Sequence, residues 1–97
     1  MKQDEYAIVL PKSSRALKEF KVLYKRRKSQ VEKAISKLKI YPTDISKMGI
    51  EKLKDREVGN YSIRVSKGDR IIYDVDTKAR KVLLIRASKH DLYRLIK

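Results

Sequence analysis

The sequence predicts an α+β domain, ordered β-α-α-β-β-β with a short C-terminal helix. Three observations predict it. Apolar residues follow helical spacing through the first half of the chain, between positions 16 and 38. From Tyr61 onward the period switches to two, in β-branched and aromatic residues. The whole chain is 97 residues, enough for one small core, so positions 1–97 read as a single domain.

The elements follow in order. Tyr6-Ala7-Ile8-Val9-Leu10 is an apolar run closed by Pro11, too short for a helix, and reads as a strand. Ser13 and Ser14 offer N-cap oxygens to a helix whose apolar face is Ala16, Leu17, Phe20, Leu23 and Tyr24. The basic run Lys25-Arg26-Arg27-Lys28 interrupts that face. A second helical set, Val31, Ala34, Ile35 and Leu38, ends at Pro42, which pushes Tyr41 toward extended geometry. The two helices read as a hairpin on a basic connection. Residues 41–59 are weakly patterned and read as a loop holding at most a helical turn or a short strand, with Met48, Ile50 and Leu53 available as anchors.

Strands return at Tyr61–Ser66 and Asp69–Asp76, and again at Val82–Ala87 after a polar turn. Lys89 to Ile96 then has helical spacing at Leu92, Leu95 and Ile96.

Loop length fixes the register of the first of these hairpins. A two-residue loop, Lys67-Gly68, sets Val65 opposite Arg70 and mixes charge into the apolar face. A three-residue loop, Ser66-Lys67-Gly68, sets Val65 opposite Asp69 and Arg64 opposite Arg70. Tyr61, Ile63, Val65, Ile71, Tyr73 and Val75 then share one apolar face, and Gly68 supplies the residue such loops want at positive φ. The second register is the expectation. It juxtaposes Arg64 and Arg70 beside Ser62, a like-charge pair that an anion between the two guanidiniums would relieve.

Charge points the same way. Twenty-six Lys and Arg against twelve Asp and Glu give a net charge of +14. A polyanion is the first partner class that such a balance suggests, and nucleic acid leads it. The basic residues are spread along the chain rather than on one amphipathic helix, which argues against a membrane surface. With no cysteine and one histidine, His90, disulfides, cysteine-based zinc sites and paired-histidine catalysis are excluded. No cofactor or metal is expected. The N-terminal apolar run is too short for a secretory signal, so the expected location is the cytoplasm. On the terminal helix Lys89, His90, Tyr93 and Arg94 fan beside the apolar sector, with Lys89 and Tyr93 one turn apart.

These residues resemble the RelE/ParE superfamily of toxin–antitoxin toxins. The resemblance lies in YSIRVSKGDRIIYDVD and KVLLIRASKHDLYRLIK, extends to YAIVLPKSSRALKEF and the two basic helices, and so covers nearly the whole chain. The family's triplet, turn and arginine-apolar-tyrosine pattern is matched by Ser62-Ile63-Arg64 and Arg70-Ile71-Ile72-Tyr73. Its basic residue four before a tyrosine is matched by Lys89 and Tyr93. Two departures stand out. Ser62 occupies a position that is often Lys or Arg, and Ala87-Ser88-Lys89 stands where Gly-His-Arg is common.

The resemblance implies a small twisted antiparallel sheet carrying the two N-terminal helices and, in the RelE branch, a metal-independent endoribonuclease that cuts mRNA in the ribosomal A site. The substrate's 2′-OH would attack the adjacent phosphate. Arg64, Arg70 and Lys89 would stabilise the phosphorane, and Tyr93 or His90 would move protons. Ser62, Lys54, Lys67, Arg86 and Arg94 are candidate RNA contacts. An acidic or amphipathic antitoxin would silence the enzyme. A ParE-like toxin that inhibits DNA gyrase without nuclease chemistry is the alternative, and a basic nucleic-acid-binding module a third.

Overall fold

A computed structural model describes residues 5–53 and 60–89 of the chain. They form β1 (Ala7–Val9), α1 (Ser14–Arg26), α2 (Lys28–Ile40), β2 (Ile50–Lys52), β3 (Tyr61–Ser66), β4 (Asp69–Asp76) and β5 (Lys81–Lys89). The α+β order expected from the sequence is present. The expected terminal helix, together with Lys54, His90, Tyr93 and Arg94, lies outside the described residues.

Helix α1 starts where its cap allows. Ser13 is extended, and its hydroxyl oxygen accepts the Ala16 N–H at 3.1 Å. The two helices meet at one residue, Arg27, rather than on a four-residue connection. Its backbone leaves the helical region (φ −131°, ψ 47°), yet its N–H still donates to the Leu23 carbonyl at 2.8 Å. The rest of the basic run 25–28 is therefore helical. Helix α2 ends at Tyr41, just before Pro42, as the restriction on a pre-proline residue requires.

The strands form one sheet in the order β1-β5-β4-β3-β2. It is mixed, not wholly antiparallel: β1 runs parallel to β5, Ala7 opposite Lys81 through Val9 opposite Leu83. A parallel neighbour needs a long crossover, and here the two helices and three intervening strands supply it. The 41–53 region contributes β2, a three-residue edge strand paired antiparallel with β3. Gly49 precedes it at φ +91°, a conformation side chains disfavour, and accepts the Arg64 N–H on its carbonyl at 2.9 Å.

The β3–β4 hairpin confirms Arg64 opposite Arg70, with Ile63 opposite Ile71. It corrects the loop. Ser66, not Val65, pairs with Asp69, so the turn is Lys67-Gly68 and Val65 is the extra residue of a bulge. The bulge keeps Val65 buried while letting a tight turn close the strands. Strand β5 is longer than expected and carries a second irregularity opposite Ile72 and Tyr73, where Ile85 has no register partner.

The core lies between the helices and one sheet face. Leu23, Val31, Ala34 and Leu38 pack with Ile63, Val65, Ile71, Tyr73, Val82 and Leu84. Tyr61 and Val75, expected on this face, pack at its margin. Tyr73 is fully buried and stacks on Tyr61 with ring centroids 5.7 Å apart. Its hydroxyl donates to the Pro42 carbonyl at 2.6 Å. Burial, reinforced by Tyr61, pushes the Tyr73 phenol well above its usual range.

Candidate functional site

The opposite face of β3 and β4 carries the polar cluster. Strand alternation sends Ser62, Arg64, Arg70 and Ile72 there once Ile63, Ile71 and Tyr73 are committed to the core. Ser62 is 1% exposed, Arg70 only 6%, and Ile72 is buried with them, whereas Arg64 is exposed. Removing a guanidinium from water is expensive unless charge and hydrogen bonds replace it. Both are present. Arg70 Nη1 lies 3.4 Å from the Ser62 hydroxyl and 3.5 Å from Glu51 Oε1.

Glu51 is the residue that sequence reasoning missed. It sits on β2 directly opposite Ser62 and keeps its carboxylate more than half exposed. A three-residue strand gives no alternation to read, and Glu51 stands far from Arg70 in sequence. The like-charge Arg64–Arg70 pair is thus eased by a carboxylate from the neighbouring strand. The cluster combines two guanidiniums, a hydroxyl and an accessible carboxylate, groups suited to hold a phosphate and accept a proton beside it.

The other predicted residues divide. Ser88 is opposite Arg70 on β5, and Lys89 is opposite Asp69. Lys89 therefore ends a strand rather than opening a helix, and its backbone is one residue out of register with the Arg70 pair. Arg86 is opposite Ile72 but is held by Glu19 of α1 through two contacts, at 2.7 and 3.3 Å. That carboxylate pushes the Arg86 pKa further up, so the side chain stays charged while engaged. Lys67 stands exposed at the hairpin turn. Among the described residues no cluster of His, Cys, Asp or Glu could hold a metal ion, and no helix is long and apolar enough to cross a membrane.

These features define a class: a small, strongly basic α+β domain with an arginine pair and a carboxylate on the sheet face away from its helices. Comparison with solved structures narrows it. A YoeB–YefM complex from Staphylococcus aureus is 26% identical, covering 88% of this chain and 97% of that one, with a TM-score of 0.62. The RelBE2 toxin–antitoxin complex from Mycobacterium tuberculosis is 21% identical over 89% and 99% of the two chains, TM-score 0.65. A YoeB/ParE toxin from Agrobacterium tumefaciens is 19% identical over 87% and 98%, TM-score 0.65. No protein-family model and no curated protein sequence matches the chain. The chain has the fold shared by these RelE, YoeB and YoeB/ParE toxin structures.

Proposed function

We propose that the protein is the toxin of a toxin–antitoxin pair and acts as a metal-independent endoribonuclease on ribosome-bound mRNA. The observation that carries this reading is the Ser62–Arg70–Glu51 cluster beside Arg64. In the reaction, the 2′-OH attacks the neighbouring phosphorus, the bond to the 5′-oxygen breaks, and a 2′,3′-cyclic phosphate and a 5′-hydroxyl result. Arg64 and Arg70 offset the charge on the phosphorane, usually the largest single contribution to such a step. Glu51 takes the 2′-OH proton. It is accessible and lies 3.5 Å from the Arg70 guanidinium, beside where Arg70 would hold a phosphate. Tyr93 or His90 returns a proton to the leaving oxygen, and Lys89 adds positive charge. Weak acid–base groups suit an enzyme whose substrate is oriented by the ribosome, because orientation alone contributes several kcal/mol.

The antitoxin partner follows from the same charge. A groove of about 350 Å³ is lined by Arg15, Lys18 and Arg26, by the apolar Val22, Leu23 and Ala87, and by Glu19 and Asp69, which are already engaged by Arg86 and by Arg26 and Arg27. An acidic segment with apolar anchors matches the basic and apolar lining.

The test is induced expression with primer extension on cellular mRNA, run beside a gyrase supercoiling assay. Cleavage by the wild type, lost in Arg64→Ala and in Glu51→Gln, is expected. Growth arrest and gyrase inhibition without cleavage would overturn the nuclease reading in favour of a ParE-like poison. The deep burial of Arg70 and its existing ion pair are the observations that keep that second reading in play.

A further inference from the structure

The turn between the helices carries a second concentration of charge, away from the Glu51 cluster. Lys25, Arg26, Arg27 and Lys28 are consecutive and all exposed. The structure brings Arg26 and Arg27 against the β3–β4 turn. Asp69, 5% exposed, lies 3.7 Å from Arg26 Nη2 and 3.6 Å from Arg27 Nε, and its other partner is the Ser66 hydroxyl at 2.6 Å. Lys67, exposed, stands two residues before Asp69. Two arginines therefore converge on one buried carboxylate, with Lys25, Lys28 and Lys67 next to this corner in sequence.

The geometry of that carboxylate matters. Distances of 3.6 and 3.7 Å are ion pairs but lie beyond hydrogen-bond range. Each guanidinium has five N–H donors, and both side chains remain more than 40% exposed. Asp69 thus anchors two arginines to the end of the sheet while their donors still face solvent. The run 25–28 holds no apolar residue, and of its four cations only Arg26 borders the groove with apolar lining, so Lys25, Arg27 and Lys28 lie outside that groove. An open, fixed, purely cationic corner fits a phosphate backbone instead.

We propose that this corner, Lys25 to Lys28 with Lys67, is a sequence-independent RNA-backbone site that holds single-stranded RNA beside the Arg64–Arg70 pair. Asp69 immediately precedes Arg70 on β4 but faces the helices, so a strand that reaches both passes around the end of the sheet. The site supplies affinity and direction, not base readout. It requires no cleavage and stands or falls separately from the nuclease reading.

The experiment uses a fluorescent 2′-O-methyl oligoribonucleotide, which cannot be cleaved by 2′-OH attack. Binding is measured by anisotropy over a range of salt, for the wild type and two variants of equal charge. One is Lys25→Gln with Lys28→Gln, which leaves Asp69 and its arginines intact. The other is Lys78→Gln with Lys81→Gln, at the opposite end of β4 from the Lys67-Gly68 turn. The corner variant should lose about ten-fold or more in affinity near 0.1 M salt, and its log–log salt slope should fall by about 1.4, the release expected for two single-strand phosphate contacts. The control should change little. Equal losses in both variants would mean diffuse charge and overturn the site. So would a corner variant that binds the oligonucleotide normally but loses binding to a poly-glutamate peptide, which would assign the corner to an acidic protein.

Discussion

Replacing Tyr73 by Phe isolates one oxygen at the centre of the fold. The Tyr73 hydroxyl is buried and donates at 2.6 Å to the Pro42 carbonyl, which begins the segment leading to Gly49 and β2. The substitution keeps the ring and its stack on Tyr61 but leaves a buried carbonyl without that donor. An unsatisfied buried acceptor costs about 1–3 kcal/mol. For a domain of this size, about 2 kcal/mol lowers Tm by about 8–16 °C. Glu51 rides on the same segment, so the proposed nuclease activity should fall as well, beyond the loss of folded protein. Thermal and urea denaturation followed by circular dichroism measure the first effect, and cleavage per folded molecule the second. An unchanged Tm would refute the inference that this hydrogen bond pins the segment to the core.

Four further outcomes are expected. Because the folded Tyr73 phenol titrates well above the unfolded value of about 10, the unfolded state loses its proton first, so stability should be full below pH 10 and decline above it, a decline that Tyr73→Phe should blunt in alkaline denaturation curves. Gly49→Ala puts a side chain at φ +91° and should cost about 1–3 kcal/mol in urea denaturation, although the new methyl would meet Arg64 only at ordinary contact distance. Ser13→Ala removes the α1 cap and should cost about 1 kcal/mol by the same measure. Antitoxin association should slow and weaken as salt rises in stopped-flow and titration experiments, and an on-rate indifferent to salt would contradict electrostatic capture in the basic groove.

What the sequence made legible was what local rules govern. Alternation in Tyr61–Ser66 and Asp69–Asp76, with the demand for one apolar face, was enough to place Arg64 opposite Arg70. The Ser13 cap and the Pro42 stop depend on neighbours in sequence and were equally readable. The three-residue loop does not form because a bulge at Val65 preserves the apolar face with a shorter turn, and alternation cannot distinguish a bulge from a longer loop. The parallel pairing of β1 with β5 was hidden for a different reason: two strands at opposite ends of the chain leave no mark on each other's pattern. Glu51 and the Tyr73–Pro42 bond are also long-range, and nothing near either residue announces its partner. Family resemblance supplied the site's chemistry, while the arrangement of Ser62, Arg70 and Glu51 came from the fold.

The chemistry of the cut ends tests the central claim most directly. A translating extract programmed with one defined mRNA should, on addition of the purified protein, yield upstream fragments ending in a 2′,3′-cyclic phosphate and downstream fragments beginning with a 5′-hydroxyl. These ends should vanish with Arg64→Ala and Glu51→Gln while ribosome binding persists. Fragments carrying 3′-hydroxyl and 5′-phosphate ends, or intact mRNA alongside full inhibition of gyrase, would contradict the account.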